Sequence, residues 1–327
     1  MAKAGKHGGG KMNILVTSVS RKVPLLLAVK AAGRKLGREV TVTGADLDPA
    51  CPGQYFTDSF WLMPPLDQLA VEKFLGGCQK RGITHVIPTR DGELLYFARS
   101  RHYLAGHGIW VLVSAPEAVE TCLDKLEFYR RLSRAGFPVI PTAERISEVN
   151  SDRLVVKERY GAGGKQIGLN LTWEEAARHA TGLSAPVFQP YIQGEEISAD
   201  LYVDRQGRTK GVILRTRDMV VNGEAQVSTT FRDPRLEELC AALAGELGLY
   251  GHAVFQFFRD EEGAYHLVEA NPRFGGASTL SIAAGLESFY WFLLETIGGD
   301  LDAHLFQRRG EKRLVRYPAD LIFDYER

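Results

Sequence analysis

The sequence carries no net charge, with 40 Lys and Arg against 40 Asp and Glu. It has no long basic run either, which argues against nucleic acid as a partner. Cysteine is scarce. Cys51, Cys78, Cys122 and Cys240 are scattered and form no C-x-x-C pair, which suits a reducing cytoplasm. No apolar run approaches membrane-spanning length, and no signal-peptide core opens the chain, so no membrane partner is expected. No internal repeat or long linker is visible. A P-loop is missing too. Gly5 to Met12 (GKHGGGKM) fits G-x-x-x-x-G-K, but it lacks the Ser or Thr and precedes a strand instead of following one. Residues 1–11 read as a disordered Lys/Gly-rich tail.

What is there is a chain of 327 residues, long enough for two or three subdomains. Its first third alternates strands and helices. Asn13–Val19, Glu39–Asp46, Thr84–Thr89 and Ile109–Ser114 read as strands, and Val23–Leu36 and Leu66–Arg81 as helices. Such alternation predicts an open parallel sheet, with ligands beyond the carboxyl ends of its strands. Ser18, Ser20, Arg21, Asp46, Thr89 and Asp91 stand at such ends. Each is also an ordinary cap or turn residue. Ser18, Arg21 and Asp91 are the substrate candidates.

The stretch Tyr265–Gly285 (YHLVEANPRFGGASTLSIAAG) organises the rest. A strand brings Glu269 and Asn271 to one side of the pleat. Pro272 stops the strand, Arg273 follows, and Gly275-Gly276 lead into a helix from about Ala277. A carboxylate, an amide, a cation and a glycine turn within ten residues read as a metal–phosphate site. The preceding strand, Ala253–Arg259, is apolar except for Gln256. A turn at Asp260–Gly263 that pairs Arg259 with Ala264 would set Gln256 diagonal to Glu269. A hairpin with one exposed Glu and a structural Gln is the alternative.

Between these regions, Asp124–Ala135 is a helix with Asp124 as N-cap and Glu127 at N3. Lys125 lies in its first turn, where a cation is unfavourable unless it serves an anion. Arg153–Arg159 alternates and aims Lys157 to one face. A glycine loop, 160–165, follows and leads into a second strand. Strand, loop, strand excludes a dinucleotide fingerprint, but such a hairpin can close over phosphates. Asn222-Gly223 signals a further hairpin, Pro234–Leu247 a helix, and Arg313–Phe323 a late strand.

Taken together, Lys125, Lys157, the loop with Gly161, Gly163 and Gly164, Gln189-Pro190-Tyr191-Ile192, Glu196, Gln256 and Glu269-x-Asn271-Pro-Arg273 resemble the ATP-grasp superfamily. The match is to single-unit relatives of the carbamoyl phosphate synthetase large subunit. The resemblance implies an α/β (α+β ATP-grasp) fold. It would have a pre-ATP-grasp domain (12–121), a small lobe or lid (122–188), a large lobe with the metal site (189–307) and a C-terminal strand or tail (308–327). It implies ATP with Mg²⁺, or Mn²⁺ in its place. Lys125 and Lys157 would touch phosphates and the glycine loop would be the flap. Pro190 and Ile192 would read adenine with Gln189 nearby, and Glu196 would hold the ribose. Gln256, Glu269 and Asn271 would hold the metal. Arg273 and Asn271 would act at the transferred phosphate, with Arg215 and Arg217 as candidates for the same anion pocket or for a solvated basic edge. Three departures stand out: Gln256 where an acid is common, Glu158 where Pro is common, and Lys165 where Ser is common.

The activity implied is an ATP-dependent carboxylate–amine ligase working through an acyl phosphate on small-molecule carboxylate and amine substrates. A carboxyphosphate- or carbamate-forming synthetase needing a partner is the second reading. A nucleotide-binding module without turnover is the third, kept open by Gln256. A homodimer is compatible with all three.

Overall fold

The computed structural model describes residues 11–161 and 166–324. The tail and most of the glycine loop, including Gly163, Gly164 and Lys165, lie outside the described residues.

The first unit is a five-stranded parallel sheet. Its strands are β1 (Met12–Thr17), β2 (Val40–Asp46), β3 (Ser59–Leu62), β4 (His85–Ile87) and β5 (Trp110–Val111), in the order β3-β2-β1-β4-β5. Around it run α1 (Val23–Lys35), α2 (Val71–Lys80), α3 (Asp91–Gly106) and α4 (Pro116–Leu123). The chain order reverses between β1 and β4. The carboxyl ends of those strands, Thr17–Ser18 and Thr89–Asp91, therefore flank the crevice of an open α/β sheet. Strand β3 has no counterpart in the sequence reading. It is four residues long and only Trp61 is buried, too little for a period-2 pattern.

The second unit starts with α5 (Lys125–Arg134). A three-stranded antiparallel sheet follows, made of β6 (Leu154–Glu158), β7 (Gly168–Leu171) and β8 (Pro186–Pro190), ordered β7-β6-β8. Helix α6 (Trp173–Ala180) packs on it through Ala176, Leu154, Val156 and Phe188. Thr172 and Glu175 form a reciprocal capping box that starts α6.

The third unit is a larger antiparallel sheet. It contains β9 (Glu195–Val203), β10 (Thr209–Thr216), β11 (Met219–Val221), β12 (Glu224–Phe231), β13 (Gly251–Arg259) and β14 (Tyr265–Asn271), in the order β11-β12-β10-β9-β13-β14. Asn222 and Gly223 both take positive φ, 50° and 76°, as a tight hairpin between β11 and β12 requires. Helix α7 (Pro234–Leu247) covers one face over Ala199, Leu201, Leu214 and Phe255. The opposite face meets α8 (Ser278–Ala283), α9 (Ser288–Thr296) and the first unit. Tyr202, Phe274, Trp291 and Phe292 share one core with Ile14, Leu25 and Val29.

Two expected elements are shorter than the sequence reading had them. The helix after the glycine turn breaks at Gly285, whose φ is 113° and whose missing Cβ would lie 2.1 Å from Gln307 O. Only a glycine accepts both. The late strand, β15, covers only Arg313–Val315 and pairs with β12. Tyr317 and Ile322 beyond it are 79% and 91% exposed.

Candidate functional site

Strict alternation divides the large sheet. Ala199, Leu201, Val212, Leu214, Ala253 and Phe255 point to α7. Their neighbours Ser198, Asp200, Arg215, Gln256, Glu269 and Asn271 point the other way. Register then brings these polar residues together. Ser198 lies opposite both Arg215 and Gln256, and Gln256 lies opposite Glu269.

This corrects the expected hairpin. Arg259 pairs with Tyr265, not Ala264, and the register shifts between Gln256 and Phe257. Val268 is the extra residue of a bulge. Without it, Leu267 and Glu269 would share one face. With it, Leu267 is fully buried opposite Phe257 and Glu269 faces the cleft directly across from Gln256.

At the end of β14 the side chains are linked. Asn271 Nδ2 donates to Glu269 Oε1 at 2.8 Å, and Arg273 Nη2 donates to Asn271 Oδ1 at 3.2 Å. Arg273 also grips Asp91 of the first unit, Nε to Oδ1 at 2.8 Å and Nη2 to Oδ2 at 2.5 Å. Asp91 thus reaches the cleft as expected of a residue at a strand's carboxyl end. Ser18 takes a left-handed backbone, and its hydroxyl donates to Glu93, which also accepts from Thr17 Oγ1 at 2.7 Å. Arg21 is exposed instead. It is Lys22 that turns toward Arg273, Glu224, Arg316 and Asp91. Burial, then Arg273, pulls its ammonium below the ordinary lysine range.

Two lysines face Glu269 from the other side. Asp124 caps α5 by accepting from Leu126 N and Glu127 N, and it takes a bidentate grip from Arg159 at 2.7 and 2.6 Å. Lys125 is thereby held at the helix start, with Nζ donating to Gly161 O at 2.9 Å. Its pKa is lowered by burial, against the pull of Glu269. Lys157, from β6, is only 5% exposed. Burial lowers it to about 8, with Glu269 opposing and Lys125 adding to the shift. Among the described residues no carboxylate comes within ion-pair distance of Lys157. A crevice lined by Asp91, Cys122, Lys125, Gly161, Glu269 and Asn271 joins these parts.

The remaining expected residues lie on β8, on β9 and between them, and on β10 and just after it. Gln189 pairs with Val155, placing it on the Lys157 face of the small sheet, and its Nε2 donates to Thr142 Oγ1 at 2.7 Å. Pro190 ends β8, paired with Leu154, and Ile192 lies in the connector to β9. Glu196 is the second residue of β9, and its carboxylate lies 2.7 Å from Arg217 Nε. Arg215 and Arg217 therefore diverge in role. Arg217 is engaged by Glu196, whereas Arg215 is 2% exposed and its Nε donates to Asp200 at 2.7 Å. Asp200 also meets His252 Nε2 at 3.2 Å and the Ser278 hydroxyl. Burial would raise the Asp200 carboxyl, but Arg215 and these partners hold it well below the usual range.

Lys22, Asp200, His252 and Arg316 were not singled out by the sequence reading. Lys22 shared the signal that pointed to Lys125, a cation at a helix start. Arg316 had none, since its place depends on where a three-residue strand docks.

Among the described residues no group of three or more His, Cys, Asp and Glu side chains could hold a metal alone. The donor set is one carboxylate, Glu269, flanked by the amides of Gln256 and Asn271. That fits a hard divalent ion whose other ligands are phosphate oxygens and water. It does not fit an all-protein cage.

Two family models match this chain. "ATP-grasp in the biosynthetic pathway with Ter operon" covers residues 184–314, and "PylC-like, N-terminal domain" covers residues 14–112. The carbamoyl phosphate synthase large chain of Pyrococcus furiosus is 22% identical over 200 residues, 54% of this chain and 19% of that protein. The N-terminal section of the same enzyme's large chain from Methanopyrus kandleri is 23% identical over 280 residues, 77% of this chain and 49% of that one. The chain thus spans half or less of the length of these relatives. Among solved structures, the biotin carboxylase domain of the Hydrogenobacter thermophilus 2-oxoglutarate carboxylase, in complex with MgADP, ADP and bicarbonate, superposes with a TM-score of 0.73 at 19% identity. That match covers 92% of this chain and 73% of the other. The Staphylococcus aureus N5-carboxyaminoimidazole synthetase complexed with ADP gives a TM-score of 0.69 at 16% identity, covering 90% and 80%.

Proposed function

Because the chain belongs to the ATP-grasp superfamily, we propose that it is an ADP-forming carboxylate–amine ligase working on Mg·ATP through an acyl phosphate. One observation carries this. Lys125 and Lys157, from α5 and β6, converge on Glu269, which lies opposite Gln256 and is tied through Asn271 and Arg273 to Asp91. Cations that face a single carboxylate with no ion-pair partner of their own await an anion.

In this reading the triphosphate lies between the small and large sheets. Lys125, Lys157 and Gly161 hold its phosphates, the Pro190–Ile192 backbone meets the adenine edge near Gln189, and Glu196 meets the ribose. Glu269, Gln256 and Asn271 would hold Mg²⁺ or Mn²⁺, which when bound offsets charge on the phosphates. Asn271 Oδ1 now accepts from Arg273, so turning its amide presents that oxygen beside Glu269. Arg273 is held rigidly by Asp91 beside the phosphoryl group, where its charge counts most as charge develops.

The substrate carboxylate attacks the γ-phosphorus, the bond to the bridging oxygen breaks, and ADP leaves. An amine then attacks the acyl carbon and expels phosphate. The amine's surplus proton passes to solvent or the phosphate.

ADP release, measured against a panel of carboxylates with Mg²⁺, tests the reading. Glu269→Gln keeps the shape and removes the charge. Turnover should fall about a hundredfold or more, while stabilisation by Mg·ATP falls less. Full turnover in the folded variant would sink the metal assignment. Release driven by bicarbonate alone would favour carboxyphosphate formation.

A further inference from the structure

We propose that a cavity at the hinge between the small and large sheets is an effector site for a small zwitterion with an aromatic ring, of the kind an aromatic amino acid is, and that its occupant strengthens nucleotide binding. The site itself stands on the geometry of the hinge. Its effect on the nucleotide rests on the reading above.

Between α5 and β6 the chain crosses from one sheet to the other, and hydrogen bonds mark where. Ile140 N donates to Leu267 O at 3.0 Å, and Leu267 N donates to Pro138 O at 2.7 Å, which ties residues 138–140 to the edge of the large sheet at β14. Ala143 then exchanges both backbone hydrogen bonds with Phe188, at 3.0 and 2.9 Å, which ties it to the edge of the small sheet at β8. Pro141 and Thr142 alone lie between the two attachments. A rotation of one sheet against the other must be absorbed there and in the connector from β8 to β9. Beside this crossing is a cavity of about 270 Å³, near the lower end of the range for small-molecule pockets, roughly 300–1,000 Å³. One wall is α5, which supplies Leu126, Tyr129 and Arg130 and is anchored in the large sheet's core through Phe128 and Leu132. The other wall is the connector, including Glu148 at the end of the short 3-10 helix Ile146–Glu148. Val149 and Ala143 on that wall pack in the cluster shared by the small sheet and α6. The two walls therefore ride on different bodies.

The lining selects a chemistry. Leu126, Pro141, Ala143 and Val149 are apolar, and the half-buried Tyr129 offers a flat face to another ring. Charged groups of both signs join them. Arg130 makes a single hydrogen bond among the described residues, Nη2 to Glu144 at a long 3.3 Å, so most of its guanidinium fork is free to bind. Glu148 accepts from Arg145 Nε at 2.8 Å on Oε1, and among the described residues its Oε2 has no donor. Glu144 is already taken, since its other oxygen accepts from Arg159 at 2.9 Å. Apolar walls, a stacking face, a cation with donors to spare and a carboxylate with an oxygen to spare match a ring, a carboxylate and an ammonium on one small molecule. A single lining cation does not suit a di- or triphosphate.

The path from this cavity to the nucleotide is short. Leu126 directly follows Lys125. Thr142 Oγ1 accepts from Gln189 Nε2 at 2.7 Å, and Glu144 holds Arg159, two residues after Lys157. A molecule that touches both walls favours the one spacing of α5 and connector that it fits. Nucleotide held by Lys125 on α5 and Lys157 on β6 favours the same spacing. Two ligands that favour one arrangement raise each other's affinity by the same factor.

The test titrates L-phenylalanine into the full chain by calorimetry, first without nucleotide and then with saturating Mg·ADP. It should bind saturably, and about fivefold or more tighter with Mg·ADP present. Alanine lacks the ring, 3-phenylpropionate lacks the ammonium and phenylalaninamide lacks the carboxylate. Each should bind about tenfold or more weakly than phenylalanine. Glu148→Lys changes an exposed residue and should leave folding and Mg·ADP affinity as they are, while weakening phenylalanine about tenfold or more. Tyr129→Ala should weaken it too, whereas Tyr129→Phe keeps the ring and should bind like the parent. No saturable binding of phenylalanine overturns the site. A Glu148→Lys variant that binds it like the parent does the same, because the amino acid then sits elsewhere. Phenylalanine binding that is indifferent to Mg·ADP overturns the coupling. A parent chain that takes phenylalanine but no Mg·ADP overturns the nucleotide reading and leaves the hinge site standing.

Discussion

Lys157 is the residue whose energetics are most exposed to test. It is 5% exposed and its pKa is lowered by burial to about 8, from 10.5. The unfolded chain therefore binds more protons than the folded one between about pH 8 and 10.5. Stability should rise with pH across that window, and the full cost of burying the charge is present below pH 8. Lys157→Met keeps the stem and removes the charge. It should stabilise the ligand-free protein at pH 7 by on the order of 3 kcal/mol. That gain should vanish by about pH 10.5. The same variant should lose most of its stabilisation by Mg·ATP. Urea midpoints at pH 7 and pH 10, with and without nucleotide, measure both effects. A variant less stable than its parent at pH 7 would mean that Lys157 is satisfied in a way its surroundings do not show. Alternation in RLVVKER is enough to aim this side chain, but not to bury it.

At the scale of elements, capping and turn chemistry were readable where the signal is local. Asp124, Asn222-Gly223 and the span of α7 all follow from a few adjacent residues. The β13–β14 hairpin did not, because a bulge at Val268 is set by which of Leu267 and Glu269 the two faces demand. Asp124 is an element-scale residue in another sense. It caps α5 and also accepts Arg159 and the Tyr160 hydroxyl, so it joins the helix bearing Lys125 to the strand end after Lys157. Asp124→Asn keeps an N-cap and should cost little folding stability, whereas Asp124→Ala should cost about 1 kcal/mol for the cap alone. Both should raise the KM for ATP, since both release Arg159. An unchanged KM in Asp124→Asn would show that Lys125 needs no help from this pairing. Measuring KM and unfolding midpoint on the two variants separates the effects.

At the scale of the molecule, the cores divide unequally. The first unit and the large sheet share one cluster, in which Ile14, Leu25 and Val29 meet Tyr202, Trp291 and Phe292. Helix α5 joins the large sheet's other core through Phe128 and Leu132. The small sheet and α6 share one small cluster of five buried apolar residues among the described residues, Val149, Leu154, Val156, Ala176 and Phe188. Lys125 thus rides on the large body and Lys157 on the small one. No sequence signal foretold that split, because it depends on which core each amphipathic face finds. The small unit should open at lower free energy than the rest, since few buried contacts oppose its opening. In native-state hydrogen exchange, amides of β6 and β8 should exchange through a partial opening while those of β1, β9 and β13 wait for global unfolding. In the proposed reading Mg·ATP would bridge the two lysines and so the two bodies. It should therefore slow exchange in β6 and β8 by far more than in β1, in proportion to RT ln(1 + [L]/Kd). Lys157→Met should abolish that selective protection and leave β1 unchanged. Equal slowing of all three strands would mean that nucleotide stabilises one rigid body, and the two-body account of the cleft would be wrong.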